Sequence, residues 1–364
     1  MMRTTMRVVL VCPYSWTRPG GVQNHVAGLA RALRGLGAEA EVLAPADAPT
    51  SEGVLAMGRS IGIPSNGSRV PVALSPAAPS RVRRALRAAR PDLVHIHEPM
   101  IPAVSFTALR SATTPLVGTF HKYADGSGWY RVFGGITRRS LERLDARIAV
   151  SDAARRHVSK VAPGDYEVIP NGVDVAAIAG VGADGRGAGR IAFIGRPERR
   201  KGLRVLLRAA ERLPAGTRVD LIGVSAEQLV ALWGGSAPAG VVAHGRVDDA
   251  ARDRLLAGAD VLAVPSLRSE SFGIVLLEGM AAGLPVVASK VGGYPDLLPP
   301  EAGCLVPPGD VDALAGALRS LLGDAAVRER MGAAGRRHAA SYDWSTVAAS
   351  VVEVYERVLR GRAR

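Results

Sequence analysis

The sequence predicts an α/β protein made of two similar halves, each built on a parallel β-sheet. Short apolar segments typical of buried strands alternate with longer segments of helical periodicity along the whole chain. The length of 364 residues is enough for two domains of ordinary size. Hydrophobic residues make up 48% of the chain and charged residues 22%, a globular composition that excludes a disordered or fibrous protein.

The elements of the N-terminal half follow one another in a regular order. The apolar run Val8–Val11 predicts a first strand, and the apolar spacing over Val22–Leu36 predicts the first helix. A second strand is expected over Glu39–Leu43. The later strands of this half are predicted at Leu93–His97, Pro115–Thr119 and Ala146–Val150.

The C-terminal half repeats the same rhythm. It begins with the predicted strand Arg190–Ile194, which is followed by a helix over Leu203–Leu213. Further strands are expected at Arg218–Ile222, Val241–His244, Val261–Val264 and Val286–Ala288. The glycine-rich stretch 171–189 looks like a linker between the halves, and a last helix is predicted over about Ser345–Leu359.

The charge of the chain favours an anionic partner. The formal net charge is +13, and such an excess attracts nucleic acid, an anionic membrane surface or a phosphate-bearing substrate. Aromatic residues are only 4% of the chain, and no helix-turn-helix, zinc-finger or aromatic RNA-binding motif occurs. We therefore expect a phosphate-bearing substrate or a membrane surface and no nucleic acid.

Cysteine content and hydropathy predict a cytoplasmic protein. Cys12 and Cys304 are too few for a disulfide framework and lack the spacing of a zinc site. The longest apolar runs are too short to span a bilayer, and Met1–Met6 leads into a strand without the pattern of a signal peptide. Peripheral contact with the inner face of the cell membrane stays open.

A glycine pair between the first strand and the first helix is one candidate site. Gly20 and Gly21 let the backbone approach a ligand closely, and the free amides of a helix N-terminus favour phosphate. The segment lacks the G-x-G-x-x-G spacing of a nicotinamide-binding loop. On the glycines alone, an ordinary turn into a helix is an equal alternative.

A basic loop follows the first strand of the second half. Gly195–Gly202 carries four basic side chains between a strand and a helix, at the edge where parallel sheets bind ligands. Among them, Arg196 offers a forked donor and Lys201 a compact charge, and together they suit a diphosphate. A solvated basic loop is the alternative.

Two glutamates form a third candidate site. Glu270 precedes a predicted helix, and Glu278 lies eight residues further on. Two carboxylates about two helical turns apart can lie along one face, where they would accept hydrogen bonds from sugar hydroxyls. The alternative is a partner for the helix dipole together with a surface glutamate.

Histidines at the ends of strands are a fourth candidate. His121 directly follows a strand, where it could contact substrate, although a lone histidine there is more often structural. His95, His97 and Glu98 offer metal-ligating side chains, but no third histidine is near in sequence. Structural and acceptor-side roles are therefore favoured over a metal site.

The D-x-D sequence at Asp310–Asp312 resembles the metal-binding motif of another transferase fold. It follows Pro307–Gly309 and precedes a helix predicted over Ala313–Leu322. An aspartate in this position is typical of a helix N-cap, which we favour over a metal ligand.

Taken together, these motifs resemble those of one enzyme family. They are P-G-G-V-Q (19–23), H-I-H-E-P (95–99), T-F-H (119–121), I-P-N-G-V-D (169–174), G-R-x-x-x-x-K-G (195–202) and E-S-F-G-I-V-x-x-E (270–278). The motifs occur in the family's order and span nearly the whole chain. On them, the sequence resembles the retaining glycosyltransferases of family 4, which have the GT-B fold. Within that family it is most similar to actinobacterial phosphatidylinositol α-mannosyltransferases, because Val11–Trp16 and Pro19–Gln23 match their N-terminal segment.

The resemblance implies two Rossmann-like parallel-sheet domains that face a central cleft. The acceptor-side domain would comprise residues 1–170, with the C-terminal helix 345–364 crossing back onto it. Residues 171–344 would form the domain that binds a nucleotide sugar, with GDP-mannose as the implied donor and a UDP-sugar as the alternative. No tightly bound cofactor and no obligate protein partner are expected, and Mg²⁺ stays an open alternative that no motif indicates.

The resemblance also assigns donor-side roles. Arg196 and Lys201 would neutralise the donor diphosphate, and Gly21 would touch it through its backbone. Glu270 would hold hydroxyls of the transferred sugar, and His121 would contact that sugar near its anomeric centre. The remaining donor residues are Glu278 on the ribose, Val247 against the base, and Phe272, Gly273 and Ile274, whose amides lie near the sugar and phosphate.

The acceptor side departs from the family pattern. Tyr14, Gln23, Asn66 and Lys122 would line it, with the inositol of phosphatidylinositol as the implied acceptor. Ser65 stands where a tyrosine is expected, Pro71 where an arginine is expected, and Lys122–Gly126 where small hydroxyl residues are usual. A soluble polyol, an aminocyclitol or a specialised metabolite is therefore a serious alternative acceptor.

Two further alternatives stay open. The basic segment Arg81–Arg90 is either a helix that contacts an anionic membrane or an ordinary surface helix whose thin apolar stripe packs on the sheet. A protein of another class, one that binds a sugar nucleotide without catalysis, would have lost Lys201 or Glu270. Both residues are present.

Overall fold

The computed structural model describes residues 5–18, 20–65, 68–73, 75–122, 139–182, 186–187, 189–235 and 237–362. The chain divides into two compact units. Unit 1 comprises Met1–Gly172 together with Trp344–Arg364, and unit 2 comprises Val173–Asp343. Each unit contains its own parallel sheet.

The strands of the described residues form two large sheets and one hairpin. In chain order they are β1 (Arg7–Val11), β2 (Glu39–Ala44), β3 (Val54–Ala56), β4 (Ser60–Ser65), β5 (Ser68–Ala73), β6 (Leu93–His97), β7 (Leu116–Phe120), β8 (Ala146–Ala149), β9 (Glu167–Val168), β10 (Arg190–Ile194), β11 (Arg218–Ile222), β12 (Val241–Gly245), β13 (Val261–Val264), β14 (Val286–Ser289) and β15 (Gly303–Val306). The strand order is β3-β2-β1-β6-β7-β8-β9 in unit 1 and β12-β11-β10-β13-β14-β15 in unit 2. Strands β4 and β5 pair antiparallel.

Helices of the described residues connect most successive strands, and three more helices follow the last strand. In the described part of the chain they are α1 (Gly21–Gly35), α2 (Ala78–Ala89), α3 (Val104–Ser111), α4 (Asp152–Ser159), α5 (Val175–Ala179), α6 (Leu203–Ala210), α7 (Ala226–Trp233), α8 (Asp249–Ala257), α9 (Ile274–Ala281), α10 (Tyr294–Leu297), α11 (Val311–Gly323), α12 (Ala325–Ala340) and α13 (Trp344–Arg362). A short 3₁₀ turn, Arg199–Lys201, precedes α6.

The strands are apolar on both faces because helices cover both sides of each sheet. In β1, Val8 and Leu10 join a core cluster with α1 and α13, whereas Val9 and Val11 join a second cluster with α2 and α3. Side chains alternate between the two faces of a strand. This alternation explains why the strands read as continuous apolar runs rather than as alternating patterns.

Both sheets reverse their strand order next to their first strand. In unit 1 the reversal lies between β1 and β6, and in unit 2 it lies between β10 and β13. Loops that leave such a pair run in opposite directions, and they leave a crevice at the carboxyl ends of the strands. The loops after these four strands are therefore the places to look for a site.

The last helix belongs to the first unit. Helix α13 buries Val347, Val351 and Tyr355 in the cluster that contains α1 and β1. The Trp344 indole lies against Gly28 of α1 and Gly172, where an added Cβ would collide with the ring. The two glycines thus make room for the aromatic residue at which the chain returns to unit 1.

Two sequence interpretations are decided by the local structure. Asp310 accepts a hydrogen bond from the Ala313 amide at 2.9 Å and caps α11, which confirms the N-cap interpretation of the D-x-D sequence. The stretch 171–189 is not simply a linker, because it contains α5, whose Ile178 is buried in unit 2. The short helix escaped the sequence analysis because five residues show too little periodicity.

We expect opposite effects from two glycine-to-alanine changes in α1. Gly28→Ala should lower the free energy of unfolding by about 1–3 kcal/mol, because the new methyl group forces Trp344 to move. Gly35→Ala meets nothing within 4 Å and should raise stability by up to about 1 kcal/mol through helix propensity. Urea unfolding followed by circular dichroism measures both, and equal effects of the two changes would contradict the role given to Trp344.

Candidate active site

The basic loop after β10 is fixed against the end of β13. The Leu267 amide donates a hydrogen bond to the Arg200 carbonyl at 2.7 Å. Gly202 has a φ of +70°, and a Cβ at this position would collide with the Pro265 carbonyl oxygen. Only glycine satisfies both the backbone conformation and the close approach. The loops on either side of the strand-order reversal are thus held together by their backbones.

Glu270 lies in the loop between β13 and α9, with 8% of its surface exposed. One carboxylate oxygen, Oε1, is contacted by the Ser266 hydroxyl at 3.0 Å, Arg200 Nη1 at 2.9 Å and Lys201 Nζ at 2.8 Å. The predicted residues Lys201 and Glu270 therefore meet, although the sequence placed them in separate motifs. Because α9 begins only at Ile274, Glu270 stands in the preceding loop and not on one helix face with Glu278.

Arg196 and Arg200 share a second carboxylate. Arg196 Nη2 lies 2.9 Å from Glu198 Oε1, and Arg200 Nε lies 2.9 Å from Glu198 Oε2. The Arg196 side chain is 57% exposed, whereas that of Arg200 is 16% exposed. Of these two guanidinium groups, that of Arg196 is accessible and that of Arg200 is held in place. Sequence reasoning missed Arg200 because it is one of three consecutive basic residues.

Glu278 lies on α9 beside Arg252 of helix α8, with 12% of its side chain exposed. The Arg252 guanidinium lies 3.4 Å from Glu278 and 2.8 Å from each of Asp249 and Asp253. Burial raises the pKa of Glu278 to about 7, opposed by the Arg252 charge. Val247 is half-buried just before α8, between β12 and the Asp248 cap. Nothing in the sequence singled out Arg252, since its contact with Glu278 joins two different helices.

The start of α9 is shaped by Gly273 and Tyr294. Gly273 has a φ of +112°, and a Cβ there would collide with the Tyr294 ring. The Tyr294 hydroxyl lies 3.3 Å from the Ser266 hydroxyl, and burial raises the tyrosine's pKa well above 10. Phe272 is buried, and Ile274 opens the helix without a side-chain cap. The first turn of α9 therefore has backbone amides that no side chain caps.

The loop after β1 in unit 1 is organised by a glutamine. Gln23 Nε2 donates to the Ser15 carbonyl at 3.2 Å and to the Arg18 carbonyl at 2.8 Å. Tyr14 forms a bridge to Val72 on β5. Gly21 opens α1 with neither a side-chain cap nor an acidic residue in the first turn. The Gln23 amide nitrogen therefore holds the loop in place through these two carbonyls.

Histidines from three elements meet in unit 1. His97 Nδ1 lies 2.9 Å from His121 Nε2, and the His25 ring centroid lies 5.3 Å from that of His97 and 4.8 Å from that of His121. Burial lowers the pKa of His25 to about 3 and lowers those of His97 and His121 as well. All three rings are therefore neutral near pH 7.

The cluster supplies the third histidine that the sequence did not reveal, since His25 lies on α1, far from the strand ends in sequence. Nitrogens of the three rings lie within 4.8 Å of one another. The facing nitrogens of His97 and His121 are already joined by a hydrogen bond, so an ion between them would have to break it. The Glu98 carboxylate accepts a hydrogen bond from the His121 amide at 2.6 Å and so fixes the end of β7.

Some predicted positions lie outside the described residues. They are Asn66, expected on the acceptor side, and Tyr123–Gly126, which follow Lys122. Lys122 itself is half-buried next to His121. In the described part of the chain, no helix combines the length and the apolar character needed to cross a membrane.

Two family models match the sequence, one in each unit. The model described as Glycosyltransferase Family 4 matches residues 19–177. The model described as Glycosyl transferases group 1 matches residues 188–324.

The chain is similar to curated proteins along almost its whole length. It is 42% identical to the phosphatidyl-myo-inositol mannosyltransferase of Mycobacterium leprae (strain TN), with 97% of each chain covered. It is 40% identical to the protein of the same name from Mycolicibacterium smegmatis, covering 97% of this chain and 94% of the relative. The corresponding protein of Propionibacterium freudenreichii is 37% identical over 96% of this chain and 94% of its own.

Solved structures confirm the predicted fold class. The sucrose-phosphate synthase of Thermosynechococcus elongatus superposes with a TM-score of 0.76 at 22% identity, covering 98% of this chain and all of that one. The Anabaena protein HepE, solved with UDP and glucose, gives 0.76 at 21% identity over 97% and 100% of the two chains. At such identities the likeness shows the fold alone, which is the GT-B fold.

The raised pKa of Glu278 predicts a pH dependence of stability. A carboxyl with a pKa of about 7 when folded and 4.5 when unfolded binds more protons in the folded state between these values. Its stabilising effect is therefore complete at low pH and is lost as pH rises towards 7. Relative to Glu278→Gln, the wild type should lose about 2 kcal/mol of unfolding free energy between pH 5 and pH 8.

Urea titrations of the two proteins across this range measure the difference. Glu301→Gln, which changes an exposed glutamate of the same unit, is the control and should track the wild type. Parallel curves for wild type and Glu278→Gln would contradict the raised pKa.

Proposed function

This chain belongs to glycosyltransferase family 4, and on that premise we propose that it transfers mannose from GDP-mannose to the inositol of phosphatidylinositol, with retention of anomeric configuration. The relatives named phosphatidyl-myo-inositol mannosyltransferase support the transfer of mannose to phosphatidylinositol. The observation that carries the proposal is the meeting of Lys201 and Glu270 where the strand order of unit 2 reverses. A cation for phosphate and a carboxylate for sugar hydroxyls then stand side by side.

The donor's charged part would be held by basic groups and free amides. The exposed Arg196 suits a forked contact with a phosphate, and Lys201 adds a compact charge. In unit 1, the uncapped first turn of α1 at Gly21 offers amides to an anion. A diphosphate leaving group gains negative charge as the sugar departs, so these groups would stabilise the transition state.

The sugar and nucleoside would be held by carboxylates and amides of unit 2. Glu270 would accept hydrogen bonds from hydroxyls of the transferred sugar, while Phe272, Gly273 and Ile274 present backbone amides beside it. Glu278 would accept hydrogen bonds from the ribose, and Val247 would lie against the base. Two observations support these roles. The first turn of α9 has no side-chain cap, and Ser266 and Arg200 hold the Glu270 carboxylate through its Oε1.

Retention is explained by a reaction on one face of the sugar. The departing phosphate oxygen would accept the proton of the acceptor hydroxyl while the new glycosidic bond forms on the same face. His121 would contact the sugar near the anomeric centre as a neutral imidazole, which suits the positive charge that develops there. The donor is thus activated by electrostatic stabilisation of its leaving group.

A second candidate acceptor follows from the sequence departures. Tyr14, Gln23, Asn66 and Lys122 are the proposed acceptor residues, and the Lys122 ammonium suits an anionic or hydroxyl-rich head group. Ser65 and Pro71 differ from the family pattern on the same side. A soluble polyol, an aminocyclitol or a specialised metabolite would explain this change.

Membrane contact is proposed through the basic face of α2. Its apolar residues Ala78, Val82 and Leu86 are buried in the core of unit 1 beside α3, so they are not available for insertion into lipid. The exposed Arg84 and Arg87 have no ion pair with any described residue. Attachment to a membrane would therefore be electrostatic and sensitive to salt.

The proposed function is tested by transfer of labelled mannose from GDP-mannose to phosphatidylinositol in anionic liposomes. We expect a labelled lipid from the purified protein. No product despite tight binding of GDP-mannose would reject phosphatidylinositol and favour the soluble acceptors. If GDP-mannose does not bind, the donor assignment fails and UDP-sugars are the next donors to test.

In the same assay, Lys201→Ala and Glu270→Ala should each lower the rate at least about a hundredfold, because each removes a group that acts in the transition state. Lys160→Ala and Glu301→Ala remove exposed charges elsewhere and should retain the wild-type rate. Circular dichroism checks that the variants are folded. Near-normal turnover of either site variant would remove the donor-site assignment.

Charge-matched variants test the membrane surface. Arg84→Gln with Arg87→Gln should weaken binding to phosphatidylserine vesicles about thirtyfold, because each basic residue near an anionic surface contributes about 1 kcal/mol. Arg330→Gln with Arg337→Gln removes the same charge from exposed positions on α12 and should have little effect. Vesicle co-sedimentation at two salt concentrations measures both. Equal loss in the two variants would indicate an effect of net charge alone.

A further inference from the structure

Lys201 has two anionic partners, the Glu270 carboxylate and the diphosphate of the proposed donor. Its ammonium lies 2.8 Å from Glu270 Oε1 in this structure, and the proposed function gives the same ammonium to the donor diphosphate. When Lys201 turns to the phosphate, the Glu270 carboxylate loses a cation while a new negative charge arrives nearby. A carboxylate with a tenth of its side chain exposed is costly to leave without compensation.

The neutral neighbours of Glu270 cannot supply this compensation. The Ser266 hydroxyl contacts Oε1 at 3.0 Å, and the Tyr294 hydroxyl hydrogen-bonds within the same group. Burial and the Glu270 charge keep the pKa of Tyr294 well above 10, so it stays uncharged. These hydroxyls orient the carboxylate, but they carry no positive charge.

Arg200 is the remaining cation on Glu270, and it is held from several sides. Its Nη1 lies 2.9 Å from Glu270 Oε1, and its Nε lies 2.9 Å from Glu198 Oε2. Its carbonyl accepts the Leu267 amide, which ties its backbone to the Glu270 loop. Glu198 is itself held by Arg196. A guanidinium that is fixed at both its side chain and its backbone is poorly placed to follow a ligand.

We infer that Arg200 is a positioning residue that stays on Glu270 and compensates its charge while Lys201 moves to the donor diphosphate. The inference rests on the proposed function and deepens it, because it divides the three basic residues Arg196, Arg200 and Lys201 between two tasks. Arg196 and Lys201 serve the phosphate, and Arg200 serves the carboxylate. A planar guanidinium suits this task because it can form ion pairs with two carboxylates at once.

A double-mutant cycle on nucleoside diphosphate binding tests the inference. GDP and UDP are the probes, and calorimetry with the full chain gives their dissociation constants. Arg200→Gln should weaken binding of the diphosphate that the wild type prefers by about tenfold or more, because Lys201 must then leave a buried carboxylate without any cation. In a Glu270→Gln background, where no carboxylate needs compensation, the same change should cost less than about threefold.

Matched variants separate this role from a general loss of charge. Arg199→Gln changes the neighbouring arginine, which is exposed and has no ion pair with any described residue, and should bind like the wild type. Arg200→Lys keeps the charge and should recover part of the affinity that Arg200→Gln loses. Thermal unfolding of every variant shows whether the loop change disturbs the fold.

Each outcome has one meaning. Equal losses from Arg200→Gln in both backgrounds would overturn the inference, because Arg200 would then act on the nucleotide or on loop structure without Glu270. No loss in the wild-type background would also overturn it. A wild-type protein that binds neither GDP nor UDP would reject the proposed function itself, and the inference with it.

Discussion

One carboxylate oxygen organises the candidate donor site. Glu270 Oε1 accepts contacts from Ser266, Arg200 and Lys201, which come from the loops on both sides of the strand-order reversal in unit 2. A charge in this position can stay buried only if donors converge on it. The backbone is built to bring them together: Gly202 sits against Pro265, and Gly292 approaches the Glu270 carbonyl too closely for any side chain.

The same strand order in both units explains why chemistry collects at strand ends. In unit 1, His97 ends β6 and His121 follows β7, and α1 brings His25 beside them. In unit 2, the basic loop and Glu270 follow β10 and β13. The sheet fixes the positions of the strand ends, so residues distant in sequence are brought close together there. The neutral histidine cluster and the charged carboxylate cluster thus both lie at the carboxyl ends of parallel strands.

Much of the fold followed from sequence because buried parallel strands read as apolar runs. Leu93–His97, Arg190–Ile194 and Val261–Val264 were predicted with the bounds that the structure has. The hairpin β4–β5 was not predicted although the sequence Asn-Gly is typical of a hairpin turn, because Asn66 was considered only as an acceptor residue. Arg200 could not be told from its basic neighbours, since the sequence shows which residues are basic but not where their side chains point. His25 was hidden for a related reason, because its partners come from two other elements.

The position of α13 bears on how the chain folds during synthesis. Unit 2 begins at Val173 and ends at Asp343, and these two residues pair side by side. Every residue of unit 2 has therefore been made before α13 leaves the ribosome, whereas the α1–β1 core lacks Val347, Val351 and Tyr355 until the end. Unit 1, whose strands are translated first, is thus the unit whose core is completed last. The hydrogen bond between His95 and the Tyr355 hydroxyl, 260 residues later in the chain, can form only when α13 has packed and the core of unit 1 is complete.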